Sequence, residues 1–191
     1  MIKQPTTGTA PSPRGLHAAA LASNHQLVVF GGAAQDGNMS NEVFLLDLKT
    51  WNWTQLEIIK INNSSSNDDQ QQPSPRASPC FNRVDDHSLI LFGGAERTTE
   101  GGLKGCDDLW LLELLSDNQA QWTRLETPTS PPGRNAATLT CLPASSLPEE
   151  AIKAMDDSTL STSQFHLLSG GWAPFQTTYN DNFVLKLTPD E

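Results

Sequence analysis

The sequence predicts an all-β protein built from repeated antiparallel meanders, and three observations predict it. A short apolar run closed by a glycine pair occurs three times, as Leu27-Val-Val-Phe-Gly31-Gly32, Leu89-Ile-Leu-Phe-Gly93-Gly94 and Phe165-His-Leu-Leu-Ser-Gly170-Gly171. A Pro-x-x-Arg tetrad stands ahead of each run, ending in Arg14, Arg76 and Arg134. A tryptophan step, Trp53-Thr-Gln-Leu56 and Trp122-Thr-Arg-Leu125, closes the first two copies. Apolar runs this short read as buried strands, and a glycine pair reads as a strand end that needs positive φ or close backbone packing. Recurrence at long intervals marks a repeat architecture.

The first copy reads as four strands, A to D. Leu16–Ala22 is small and apolar and makes strand A, and Asn24-His25 turns the chain. Leu27–Phe30 is strand B, stopped by Gly31-Gly32, and the polar loop around Gln35-Asp-Gly-Asn38 follows. Val43–Leu48 is strand C, Lys49-Thr50 is a two-residue turn, and Trp51–Leu56 alternates as strand D. The copy then restarts after Asn62–Gln72, a Ser/Asn/Gln/Asp stretch that reads as a flexible insertion over 61–72. Pro73-Ser-Pro-Arg76 repeats Pro11-Ser-Pro-Arg14 letter for letter. Pro79 falls inside the second strand A, which places that strand at a sheet edge, because proline lacks the N–H donor. Asp108–Leu114 matches Glu42–Leu48, and Trp122–Glu126 matches Trp53–Glu57.

The third copy opens at Pro131-Pro-Gly-Arg134 and carries Asn135–Cys141 as strand A. An insertion over 142–163 contains Ser146-Leu-Pro-Glu149, a capping-box pattern that predicts one short helix through Met155. Phe165–Ser169 and Asn182–Leu187 follow as strands B and C. Trp53 lies five residues after Leu48, and five residues after the equivalent Leu187 is beyond Glu191, so the third copy is expected to lack strand D. Met1–Pro5 lies where a strand D of an earlier copy would finish, without a tryptophan.

This frame resembles the kelch repeat over nearly the whole chain. The residues that carry the resemblance are Arg14, Arg76 and Arg134; Gly31, Gly32, Gly93, Gly94, Gly170 and Gly171; Phe44, Trp110 and Phe183; and Trp53 and Trp122. The family's strand-C aromatic is usually tyrosine, where this sequence has phenylalanine or tryptophan. From Gly31 to Gly93 is 62 residues and from Gly93 to Gly170 is 77, longer than the roughly 50 of a standard kelch unit, and the two insertions account for most of the excess. The resemblance implies a β-propeller arc of three four-stranded blades, at 11–60, 73–127 and 131–191, the last incomplete. A blade is too small to bury its own faces, so the aromatics and glycine pairs pack it on its neighbours. Propellers close with about 4–8 blades, so the remaining blades are expected from a longer chain or, less directly, from self-association.

Composition narrows the function classes. The net charge of −10 argues against nucleic-acid and anionic-membrane surfaces, which need basic patches. The acidic pairs Asp68-Asp69, Asp85-Asp86, Asp107-Asp108 and Asp156-Asp157 read as solvated loops, with a basic partner as the sharper alternative. The N-terminus lacks an apolar secretory core, and Cys80, Cys106 and Cys141 lack C-x-x-C spacing, which together indicate reduced thiols and a cytoplasmic location. The matches to the glycosylation pattern at Asn52 and Asn63 are then chance.

In a meander the B–C and D–A loops share one face, and the longer loops lie there: Ala33–Ser40, Ala95–Cys106 and Trp172–Tyr179. Long loops on a rigid scaffold are where recognition concentrates. The candidate contacts are Gln35, Asp36, Asn38, Glu96, Arg97, Lys104, Trp172, Phe175 and Tyr179, with the aromatics Trp172 and Phe175 foremost. The repeated arginines are read as structural, bonding loop carbonyls or acids, and Trp53 and Trp122 as core anchors. The resemblance also raises galactose oxidase, a copper enzyme of the same superfamily that uses Tyr and His ligands and a Tyr–Cys cross-link. Tyr179 is the one tyrosine here, and His17, His25, His87 and His166 have no metal-ligand spacing. No nucleophile elbow or P-loop occurs. The sequence therefore predicts a non-catalytic protein-interaction scaffold with no cofactor and no metal. The alternative is part of a propeller enzyme, oxidase-like or specifier-like, whose active site lies in other blades.

Overall fold

Residues 1–60, 71–115, 118–150 and 163–188 are described in this computed structural model. In the first blade β1 (Thr7–Gly8), β2 (Ala18–Ser23), β3 (Gln26–Phe30), β4 (Val43–Asp47) and β5 (Asn52–Gln55) form one sheet in the order β1-β5-β4-β3-β2. Next come β6 (Glu57–Ile58), β7 (Cys80–Arg83) and β8 (Ser88–Phe92), the hairpin β9 (Ala95–Arg97) and β10 (Leu103–Gly105), then β11 (Leu109–Leu114) and β12 (Gln119–Leu125). The second blade orders its strands β6-β12-β11-β8-β7. The third has β13 (Thr138–Leu142), β14 (Gln164–Ser169) and, after the hairpin β15 (Trp172–Ala173) and β16 (Thr177–Thr178), β17 (Asn182–Leu187), in the order β13-β14-β17. The A strands β2, β7 and β13 neighbour one another in series and form the inner side of the arc.

The meander of A to D strands is accompanied by strands the sequence does not announce. β1 pairs parallel with β5, setting Thr7 opposite Asn52, and β6 pairs parallel with β12, setting Glu57 opposite Gln119. The chain leaving β5 thus crosses to the outer edge of the next blade before descending to its A strand. Met1–Pro5 forms no strand. Trp51 belongs to the C–D turn and not to the strand: its φ is +56, its N–H donates to Asp47 O at 2.7 Å, and the Asp47 carboxylate accepts from Lys49 and Thr50 N–H. In the second blade β12 has begun by Gln119. Pro79 precedes β7, so no ladder bond is lost. The insertion expected over 61–72 lies outside the described residues for 61–70, and the expected helix does so from residue 151. Ahead of it Ala144–Ser146 forms a 3₁₀ turn.

The core lies between blades. β8 is apolar at successive positions because both its faces are covered. Leu89 and Leu91 turn to the first blade, with Val28, Phe30, Leu56, Trp110, Leu112, Ala120 and Trp122. Ile90 and Phe92 turn to the third, with Cys80, Leu109 and Leu168 and the half-buried Leu139, Leu185 and Leu187. Each such fully buried side chain contributes roughly 1.5–3 kcal/mol. Trp122 meets Phe30 edge-on, with centroids 5.3 Å apart and planes at 70°, and Trp110 at 6.5 Å, geometries that suit the ring quadrupoles. Trp53, its counterpart in β5, faces no preceding blade among the described residues and is half-buried. No helix among the described residues is long and apolar enough to cross a membrane.

Candidate interaction surface

The loops are held by a unit that each blade repeats. Arg14 Nη1 donates to Gly31 O at 3.2 Å, Arg76 Nη1 to Gly93 O at 3.0 Å, and Arg134 Nη1 to Gly170 O at 2.9 Å. A second nitrogen meets the acid ahead of the same blade's third strand: Glu42 at 2.8 Å, Asp108 at 2.8 Å and Asp181 at 3.0 Å. Each Nε folds back on a nearby carbonyl, of Ser12, Ser74 or Pro132. Burial pushes the Asp108 carboxyl up, but the hydrogen bond and charge of Arg76 outweigh it and leave the group below its ordinary value. The Arg134 hydrogen bond does the same for Asp181, and the Arg14 hydrogen bond for Glu42, each against a smaller opposing effect of burial.

The backbone of this unit ties one blade to the next. Gly32 N–H donates to Arg76 O and Gly94 N–H to Arg134 O, both at 2.9 Å. The approach is close enough that a Cβ on Gly31 would stand 2.8 Å from Arg76 O, and one on Gly93 2.5 Å from Arg134 O. Both glycines have φ +69, which L-residues resist. The cysteines add a further tie: Cys80 Sγ donates to Ala137 O at 3.2 Å. All three thiols are unpaired, and burial pushes those of Cys80 and Cys106 up to about 12.

On this frame the B–C loops stand side by side. The D–A segment joins them, since Ser74 Oγ bonds the Glu96 carboxylate and Asn41 Nδ2 donates to Pro73 O. Glu96 and Lys104 face each other across β9 and β10 and form an ion pair at 2.8 Å. Burial raises the Glu96 carboxyl, while Lys104 and Ser74 together hold it below its ordinary value. Arg97 Nε reaches the first blade and donates to Gly37 O at 3.0 Å, so Arg97 and the Gln35–Asn38 turn come together. Within that turn Asp36 accepts from the backbone and side-chain nitrogens of Asn38. β10 lies beside β15, which brings Trp172 into the same row. Trp172 and Asn135 exchange backbone hydrogen bonds at 3.1 and 3.0 Å. Phe175, at the hairpin tip with φ +59, is 85% exposed, and Trp172 is 37% exposed. Tyr179 is set apart from the other candidates: its half-buried ring lies under the Arg134 guanidinium, 4.0 Å from its centroid.

One repeated feature carries no sequence signal. Leu16, Ser78 and Ala136 all adopt left-handed backbone, with φ of 59, 50 and 51. Ser78 N–H donates to Leu16 O at 2.7 Å and Ala136 N–H to Ser78 O at 3.0 Å, a backbone chain across the starts of the three inner strands. The three side chains share no chemistry, so only the position two residues after each arginine marks them. Among the described residues no group of three or more His, Cys, Asp or Glu is placed to hold a metal ion.

Residues 1–189 match the family described as KLHDC2/KLHL20/DRC7 Kelch-repeats domain. Over 130 residues, 68% of this chain and 18% of the relative, the chain is 32% identical to Adagio-like protein 3 of Oryza sativa subsp. japonica. Over 89 residues, 47% of this chain and 19% of the relative, it is 47% identical to Kelch domain-containing protein 2 of Bos taurus. Among solved structures it is similar to YjhT, with a TM-score of 0.52 and 18% identity over 90% of this chain and 41% of that one, a likeness of fold. The matched part is about a fifth of the length of these two curated relatives. The repeated arginine, glycine-pair and strand frame, its blade packing and this match together establish that the chain belongs to the kelch-repeat family.

Proposed function

We propose that the chain is a non-catalytic scaffold that binds a protein partner through the face carrying its B–C and D–A loops. The blade frames are assigned to 11–60, 73–127 and 131–191, with β1 joining the first sheet from ahead of its frame and β6, at the end of the first frame, joining the second sheet, and with the other blades of the ring supplied from outside these residues. The observation that carries the reading is the row of B–C loops, cross-tied by Arg97 to Gly37 and by β10 beside β15, with Phe175 and Trp172 standing out from it. Exposed aromatics on rigid hairpins anchor protein interfaces at low cost in ordering. Gln35, Asp36, Asn38, Glu96, Arg97 and Lys104 supply a polar rim of both charge signs, and Tyr179 supports the loop from beneath. Three unpaired thiols support a reducing, cytoplasmic setting.

The test compares affinity capture by the wild type, by Trp172→Ala with Phe175→Ala, and by Trp51→Ala in the C–D turn on the opposite face. The proposal expects partners held by the wild type to be lost from the double variant and kept by Trp51→Ala, with unchanged circular dichroism throughout. Equal capture by all three proteins would remove this face from consideration.

A further inference from the structure

β14 is the middle strand of the third blade, paired along one edge by β13 and along the other by β17. Four residues ahead of Gly170 stands His166, in the place that Leu27 and Leu89 hold ahead of Gly31 and Gly93. Leu89 and His166 are both fully buried, and Leu89 lies in the apolar packing between the first and second blades. Residues two apart on a strand share a face. Leu168 packs with Cys80, Ile90, Phe92 and Leu109 of the second blade, so His166 is turned to the second blade as well. An apolar position of the blade interface therefore holds an imidazole.

Neither nitrogen of that ring has a hydrogen-bond partner among the described residues. The groups around it are apolar or already committed. Directly opposite it are Cys141 on β13 and Leu185 on β17. On β7, the strand of the second blade that neighbours β13, Cys80 Sγ donates to Ala137 O at 3.2 Å and Asn82 Nδ2 to Leu139 O at 3.1 Å. β8 turns Ser88, Ile90 and Phe92 to the same side, none of them titratable. The titratable groups turned to this interface are Cys141, Cys80, Glu113 of β11 and, at its margin near Gln164, Asp85, Glu126 and Lys186. None of them bonds the ring, and burial alone lowers the imidazole from its ordinary value. An unpartnered neutral imidazole is costly to bury, and a charged one far more so.

We propose that His166 is a pH-sensitive latch whose protonation releases the third blade from the second. The charged ring has no partner where it lies, so it takes up a proton only as β14 and the second blade part and water reaches it. The direction follows from the lowered value in the fold. The blade contact is complete above the ordinary histidine value of about 6.5 and weakens as pH falls below it. Carboxylates stay ionised down to about pH 5, so the arginine–acid pairs are intact while the latch opens. β14 runs through Gly170-Gly171 into the hairpin that carries Trp172 and Phe175, so release moves those two aromatics as well. That consequence for binding rests on the loop-face reading, whereas the latch itself rests on blade packing alone.

The test follows amide hydrogen exchange of the chain from about pH 7.5 to about pH 5.5, with rates corrected for their intrinsic pH dependence. The proposal expects opening of β13, β14 and β17 to rise by up to about tenfold for each pH unit below about 6.5, while β3 and β4 of the first blade stay protected. His166→Leu, which restores the residue type of the other two blades, removes that pH dependence. His87→Gln, at an exposed position, keeps it. Opening of the third blade that does not change with pH overturns the proposal, as does a pH dependence that survives in His166→Leu or is equal in the first blade. The wild-type imidazole supplies a check that needs no variant. By nuclear magnetic resonance the ring is expected to stay neutral until the third-blade amides lose protection. A ring that titrates at about 6.5 in a blade still protected overturns the latch.

Discussion

The second and third blades carry the same motif residues and are held differently. Arg76 is buried against an Asp108 that is 12% exposed, whereas the equally buried Arg134 meets an Asp181 that is 37% exposed. Trp110 is 1% exposed and its counterpart Phe183 is 36% exposed. A Cβ on Gly93 would strike Arg134 O, while one on Gly170, at nearly the same φ, would find its nearest neighbour, Tyr179 O, at 3.6 Å. β8 ends in the buried Phe92, and β14 ends in Ser169 at the same place. The frame fixes backbone geometry within a blade, and the adjoining blade determines how much stability each frame residue contributes. This is the nearest-neighbour energetics of a repeat array, resolved to single side chains.

The largest test uses the two tryptophans of the D strands. Trp122 is enclosed by Phe30, Phe81 and Trp110, so Trp122→Ala is expected to cost about 3–5 kcal/mol. Trp53→Ala removes a half-buried ring and is expected to cost on the order of 1–2 kcal/mol. Urea denaturation of both variants measures the difference. Equal losses would mean that the motif position, and not the neighbouring blade, sets the energy.

The second test uses the ion pairs. Asp108→Asn leaves a buried guanidinium without its counter-charge and is expected to destabilise by about 3 kcal/mol. Asp181→Asn is expected to cost clearly less, because water reaches that carboxylate. Both carboxyls are held below their ordinary values in the fold, so their contribution is complete above the ordinary carboxylate range and is lost as pH falls through the depressed folded values. The wild type should therefore lose stability below about pH 4. Asp108→Asn should flatten that acid limb more than Asp181→Asn. An acid limb unchanged in Asp108→Asn would show that Arg76 draws its compensation from the carbonyls of Ser74 and Gly93 instead.

The three-fold frame was legible because it is written in residue types with few other uses: a glycine pair after an apolar run, an arginine at a constant lead, a tryptophan at a constant lag. What the frame cannot express is context. Trp53 and Trp122 occupy one motif position, yet their burial differs because, among the described residues, Trp122 has a blade in front of it and Trp53 has none. β1 and β6 are two residues long and pair parallel with strands distant in sequence, so no alternation marks them. The B–C loops were legible as loops by composition. Their cross-ties were not, since the bond from Arg97 to Gly37 joins a side chain to a backbone carbonyl that any residue could offer. Tyr179 looked like another loop aromatic, and its place beneath Arg134 depends on the path of the whole loop.

The finest division of the two blades is at the glycines. Gly93→Ala adds a left-handed alanine, at about 1 kcal/mol, and a Cβ that must push Arg134 O away. Moving that carbonyl also weakens the bond it accepts from Gly94 N–H, so a total of about 2–3 kcal/mol is expected. Gly170→Ala meets only the conformational term, about 1 kcal/mol, because no blade lies over it among the described residues. The two variants thus separate the intrinsic preference for glycine from the contact between blades. If Gly170→Ala proves as costly as Gly93→Ala, something outside the described residues covers the third blade in solution as the third covers the second. Hydrogen exchange at Gly171 N–H, the equivalent of the Gly94 donor, would then be slow and would locate the cover.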